Sequence, residues 1–187
     1  MKSIIIVWEI FTDFIVIMWH LILLQAKPQQ MPAYRKLLIM SSTFMVSMGI
    51  LSALATGLTR VNLLEPIVDL FFLLLFLKVL LRLFRFPVRF TQTAIAITGS
   101  IAMFSVLFIP LNFVAADIIG LGENTQNQMQ SSPAGAVLAL IYLALFIWML
   151  RVLGHIFSHA LEVRLSFAIG IAMFYLMSSL FVSLTIL

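Results

Sequence analysis

Three side chains in the stretch WEIFTDFIVIMWH, Glu9, Asp13 and His20, are ionisable groups set into an otherwise apolar run. On a helix they fall within about 40° of one another, so they form one narrow stripe. A second stripe, Asn62, Glu65 and Asp69, recurs at i, i+3 and i+7. A carboxylate in hydrocarbon costs several kcal/mol unless it is paired, protonated or wetted. Both stripes are therefore expected to face a protein interior. If they meet, like charges in a low-dielectric setting favour a bound proton or a bound cation, the chemistry of a relay or an ion site. A plainer alternative leaves Glu9 solvated at the membrane surface, Glu65 paired with Arg60, and His20 at the opposite interface.

The stretch RVLGHIFSHALE carries a third set, Arg151, His155, His159 and Glu162, within about 80° on a helix. His155 and His159 at i, i+4 can share a metal, with Glu162 as a third ligand. An amphipathic helical extension lying at a membrane surface gives the same stripe, and the zinc-protease arrangement with Glu directly after the first His is absent. No metal or cofactor is expected. The chain has no Cys, which excludes disulfides, thiolate nucleophiles and Cys-ligated metals. It has no phosphate-binding lysine loop, no GxGxxG and no GxSxG elbow, so an enzyme is not expected.

These groups must be held by membrane helices. Of the 187 residues, 63% are hydrophobic and 10% charged, and the mean hydropathy is +1.17. A soluble domain of this length needs far more polar surface. About 20 apolar residues cross a bilayer as a helix. Six spans are predicted, over 3–24, 37–58, 66–83, 92–111, 134–153 and 166–187. The fold class is all-α, a single integral membrane domain over 1–187, with the first span retained rather than cleaved as a signal. Pro66 is expected near a helix start, and Pro110 at a kink or stop.

Charge sets the expected orientation. Lys27, Arg35, Lys36, Lys78, Arg82, Arg85, Arg89, Arg151 and Arg164 fall at one side of this arrangement, and only Lys2 and Arg60 at the other, a ratio of 9 to 2. The richer side is expected in the cytoplasm, with both termini outside. Six of the seven acids lie outward, and only Glu162 inward. The net charge of +4 is thus read as orientation, with no nucleic-acid partner. The basic stretch 78–89, interleaved with Phe84, Phe86 and Phe90, fits anionic lipid headgroups as well as a generic interfacial belt. Small residues in ALATG, TGS and GIAM suit close helix packing.

From RFTQTAIAITGSIAMFSVLFIPL at 89–111, through Trp148 and the connector RVLGHIFSHALEVRLSFA, the chain resembles bacterial members of the Yip1-type membrane proteins. The resemblance spans residues 89–187. It implies a polytopic membrane scaffold and no catalytic residues. The expected function is a non-enzymatic scaffold or accessory subunit of a larger membrane complex, with a membrane-protein partner or a second copy, in a bacterial inner membrane. The alternative is a small proton- or cation-coupled transporter or channel that uses Glu9, Asp13, Glu65 and Asp69.

Overall fold

The computed structural model describes residues 12, 14–55, 60–120 and 133–186. Glu9 and Asp13 lie outside the described residues, as do the side chains of Arg60 and Asn62. In long apolar runs the backbone amides must satisfy one another, and helices do this within one segment. Among the described residues there are six α-helices: α1 over 14–22, α2 Arg35–Ala55, α3 Arg60–Leu83, α4 Phe90–Gly120, α5 Pro133–Leu161 and α6 Leu165–Ile186. No strand occurs among the described residues. α2, α4, α5 and α6 are long and apolar enough to cross a membrane. α3 is of similar length but carries Glu65, Asp69, Lys78 and Arg82.

The helices run past several expected boundaries. α3 begins six residues before Pro66, so that proline sits inside the helix. A glycine on the neighbouring helix accommodates the ring: a Cβ at Gly49 of α2 would lie 2.7 Å from Pro66 Cβ. Pro110 neither stops nor shortens α4, which continues to Gly120. One missing N–H is tolerated there because the remaining turns stay bonded on both sides. α5 continues through Leu161, eight residues beyond the expected end of its span at 153.

α4 is the central helix, with residues 93–100 buried on every side. Gly99 gives α1 room to approach, since a Cβ there would meet Met18 Sδ at 2.4 Å. At Gly154 of α5 a Cβ would meet Ile169 of α6 at 2.5 Å. These are the close approaches that small residues permit between helices.

The connectors at 23–34, 84–89 and 162–164 gather at one end, called here the basic end. Leu24, Arg85 and Glu162 have φ of 63°, 66° and 57°. Each is followed by the six-residue return bond of a left-handed helix cap: Gln25 N to His20 O, Phe86 N to Leu81 O, Val163 N to Ser158 O, at 2.8, 2.8 and 3.1 Å. Without glycine this conformation costs about 1 kcal/mol per residue, so contacts elsewhere must hold it. Arg89 supplies several of them. It donates to the α5 carbonyls of His159 and Ala160 at 3.3 Å each and pairs with Glu162 at 2.5 Å. Trp148 Nε1 donates to Ile22 O at 3.1 Å, and Gln29 Nε2 to His159 O at 2.6 Å.

Arg89→Met is expected to lower stability by about 1–3 kcal/mol, because two helix-end carbonyls lose a charged donor. Glu162→Gln should cost much less, since Glu162 is 59% exposed and exposed ion pairs contribute little. Thermal unfolding in mild detergent measures both. Equal losses would place the stabilisation in the ion pair instead of the cap.

Candidate functional site: a carboxylate between hydroxyls

α3 and α6 pack side by side, and their polar residues fall on facing stripes. Glu65 and Asp69 lie at i, i+4 on α3, while Tyr175, Ser179 and Ser183 lie at i, i+4, i+8 on α6. The helices run in opposite directions, so the two stripes pair in reverse order. Tyr175 OH donates to Asp69 Oδ1 at 3.2 Å, and Ser179 Oγ donates to the same oxygen. Ser183 Oγ donates to Glu65 Oε1 at 2.9 Å. Asp69 lies about 14 Å along α3 from Arg60, well inside an apolar helix.

Beside this ladder is a cavity of about 420 Å³ between α2, α3, α4 and α6. Asp69, Glu65, Ser179, Ser183, Ser52 and Ser105 give it a polar lining. No Lys or Arg lines it among the described residues. Toward the basic end it meets an aromatic wall. Tyr175 is 1% exposed and stacks on Phe72 at 6.0 Å, with Phe76 at 5.4 Å. Beyond that, Leu73, Leu77, Leu81 and Phe157 are fully buried. The cavity is therefore polar at its wall and closed by packed apolar side chains at its inner limit.

Ser52 ties the cavity to a second polar chain. Asn112 Nδ2 donates to Ser52 Oγ at 2.7 Å, and Tyr142 OH donates to Asn112 Oδ1 at 2.5 Å. A half-buried asparagine with both ends bonded ties α2, α4 and α5 to one another.

This geometry has a direct chemical reading. Both hydroxyl donors fall on Oδ1, which leaves Asp69 Oδ2 without a hydrogen-bond partner among the described residues. A carboxyl in this setting can hold a proton on Oδ2, or share a small cation with hydroxyl oxygens, since hard cations take oxygen ligands.

The other candidate residues are placed differently. Glu65 is exposed, and its observed partner is Ser183. The described part of α1 packs Phe14 and Met18 against Gly99 of α4, so across the interface from Asp69 stands α6. His20 Nδ1 lies 2.8 Å from Val16 O of its own helix. His155 and His159 have ring centroids 4.4 Å apart, but His155 Nε2 lies 3.2 Å from Ala26 O. Glu162 sits past the end of α5, ion-paired to Arg89, and Arg151 is exposed. Among the described residues no three His, Asp or Glu side chains converge as a metal set.

Tyr175 and the pairing of Ser179 and Ser183 with the α3 acids are not evident from composition. Their spacing of four on an apolar helix is the signal that marks them. Comparison of the chain with protein-family models, curated proteins and solved structures gives no match.

Proposed function

We propose that this chain is a six-span integral membrane protein, both termini outside, that binds and passes a proton or a monovalent cation at Asp69. A bacterial inner membrane is its proposed location. The observation that carries this reading is the Asp69 carboxylate, doubly hydrogen-bonded by Tyr175 and Ser179 at the wall of a polar cavity inside an apolar bundle. A half-buried carboxylate inside an apolar helix that served packing alone would cost free energy without return. The apolar closure by Leu73, Leu77 and Leu81 favours a gated carrier over an open pore. Movement of α6 against α3 would open the path by separating Tyr175 from Asp69.

The test is ion flux in proteoliposomes of purified protein carrying an internal pH dye. Imposed gradients of Na⁺, K⁺ or H⁺ are expected to change the internal pH faster than in protein-free vesicles. Equal rates for every gradient would sink the carrier reading.

A second reading keeps the chain as a non-enzymatic scaffold or accessory subunit of a larger membrane complex, in line with the Yip1-type resemblance. The observation in its favour is the same apolar closure, which makes the cavity blind in this conformation. It expects a stoichiometric membrane partner in mild-detergent purification. Isolation of the protein with no partner would remove it.

A further inference from the structure

A second groove lies between α3 and α6, nearer the basic end. Its volume is about 630 Å³, and its wall is almost wholly apolar, including Val79, Leu83, Phe167 and Phe174. These four side chains are exposed, Leu83 and Phe174 to 74% and 64%. Gly170 forms part of the wall, and a Cβ built there meets nothing within 4 Å. The glycine thus leaves the groove open, in contrast to Gly49, Gly99 and Gly154, whose space a neighbouring side chain already fills.

Basic residues adjoin the lining of this groove in the chain: Arg82 precedes Leu83, and Arg164 lies two residues before Ser166. Phe84 and Phe167 bring the end of α3 to the start of α6, with ring centroids 6.4 Å apart. Arg82 and Arg85 therefore stand near Arg164, and all three are exposed. Arg89 has its counter-charge in Glu162, whereas no ion pair to the other three arginines occurs among the described residues. Ser166 lines the same end of the groove, in the first turn of α6, where backbone N–H groups have no acceptor within the helix.

We infer that this groove holds one acyl chain of an anionic phospholipid, with the phosphate at Arg82, Arg85, Arg164 and the start of α6. The charge selects the occupant. A neutral lipid would fill the apolar wall equally well but would leave three arginines without a counter-ion, and a partner helix of ordinary composition would bury them. Anionic headgroups attract such clusters at a membrane surface. Arginine also presents a planar fork suited to phosphate oxygens. The inference is independent of ion flux, because the groove lies on the opposite side of the aromatic wall from the Asp69 cavity.

The test is native mass spectrometry of the detergent-purified protein after exchange with dioleoyl phosphatidylglycerol or, separately, dioleoyl phosphatidylcholine. Wild type is expected to retain one phosphatidylglycerol and to lose phosphatidylcholine at the same collision energy. Arg82→Gln and Arg164→Gln should each weaken phosphatidylglycerol retention about fivefold. Gly170→Leu should remove it by filling the groove, and its unchanged elution profile and helical circular dichroism would verify folding. Equal retention of both lipids overturns the inference. So does retention of phosphatidylglycerol by folded Gly170→Leu, or a co-purifying protein that Gly170→Leu releases.

Discussion

Asp69→Asn is expected to abolish ion flux while leaving the bundle folded. Asparagine has nearly the same shape, and its Oδ1 can still accept from Tyr175 and Ser179. What it lacks is the negative charge and the exchangeable proton, so it removes the chemistry and keeps the packing. Thermal stability should stay within about 1 kcal/mol of wild type or rise, since the desolvation of a charge is no longer required. Asp69→Ala gives the complementary result. It leaves the Tyr175 and Ser179 hydroxyls without their acceptor, at a cost of about 1–3 kcal/mol. Flux should be absent in both variants, but only the alanine variant should melt early. Glu65→Gln should retain most of the flux, because Glu65 is exposed and its hydrogen-bond partner among the described residues is a single hydroxyl, that of Ser183. Parallel flux and melting measurements on the three proteins separate these outcomes. Full flux in Asp69→Asn would remove this residue from the mechanism.

Gly49→Ala is expected to produce the largest structural effect of any single methyl group near the cavity. Its Cβ would lie 2.7 Å from Pro66 Cβ and 2.8 Å from Cγ. A proline ring cannot rotate away, so α2 and α3 must separate by several tenths of an ångström. Overpacking of this kind costs about 1–3 kcal/mol. Gly49 and Pro66 both line the cavity, so ion flux should change together with the melting temperature. Gly170→Ala is the matched control. Nothing lies within 4 Å of its added methyl, and alanine is the better helix former by about 0.5–1 kcal/mol. The control is expected to melt at or above the wild-type temperature. A Gly49→Ala protein as stable as this control would show that α2 and α3 do not need their close approach.

Hydrophobic run length accounts for most of the correspondence between sequence and fold. The predicted spans at 37–58 and 166–187 match α2 and α6 within a few residues, because their breakers, KPQQMPAYRK and the residues around 162–164, coincide with real ends. Pro66 misleads because a neighbouring glycine makes room for its ring. Pro66 reads as a helix start only while Gly49 is unknown, and the space at Gly49 is a tertiary fact. Glu162 shows the reverse error. A helical wheel carried through residue 162 joins it to His155 and His159, but the left-handed turn at φ 57° takes it off the helix toward Arg89.

Asp69 is conspicuous from sequence because a carboxylate in an apolar run is expensive. Its partners were less legible. The acid stripe of the first span shares its chemistry and suggests a meeting, whereas the observed donors come from α6, 106 and 110 residues away in the chain. Serine and tyrosine in an apolar helix satisfy themselves in many ways. Only the antiparallel register of α3 and α6 shows that Tyr175, Ser179 and Ser183 answer Asp69 and Glu65 in turn.

The most direct measurement is site mapping with a hydrophobic carbodiimide, which reacts with protonated carboxyls in apolar surroundings. Purified protein in lipid vesicles would be labelled, digested and analysed by peptide mass spectrometry, with and without added Na⁺ or K⁺. If Asp69 holds an exchangeable proton or cation, the adduct is expected at Asp69, and one of these cations should reduce its yield. An Asp69 left unmodified at acidic as well as neutral pH, or an adduct whose yield neither cation changes, would contradict a proton- or cation-binding role for this carboxylate.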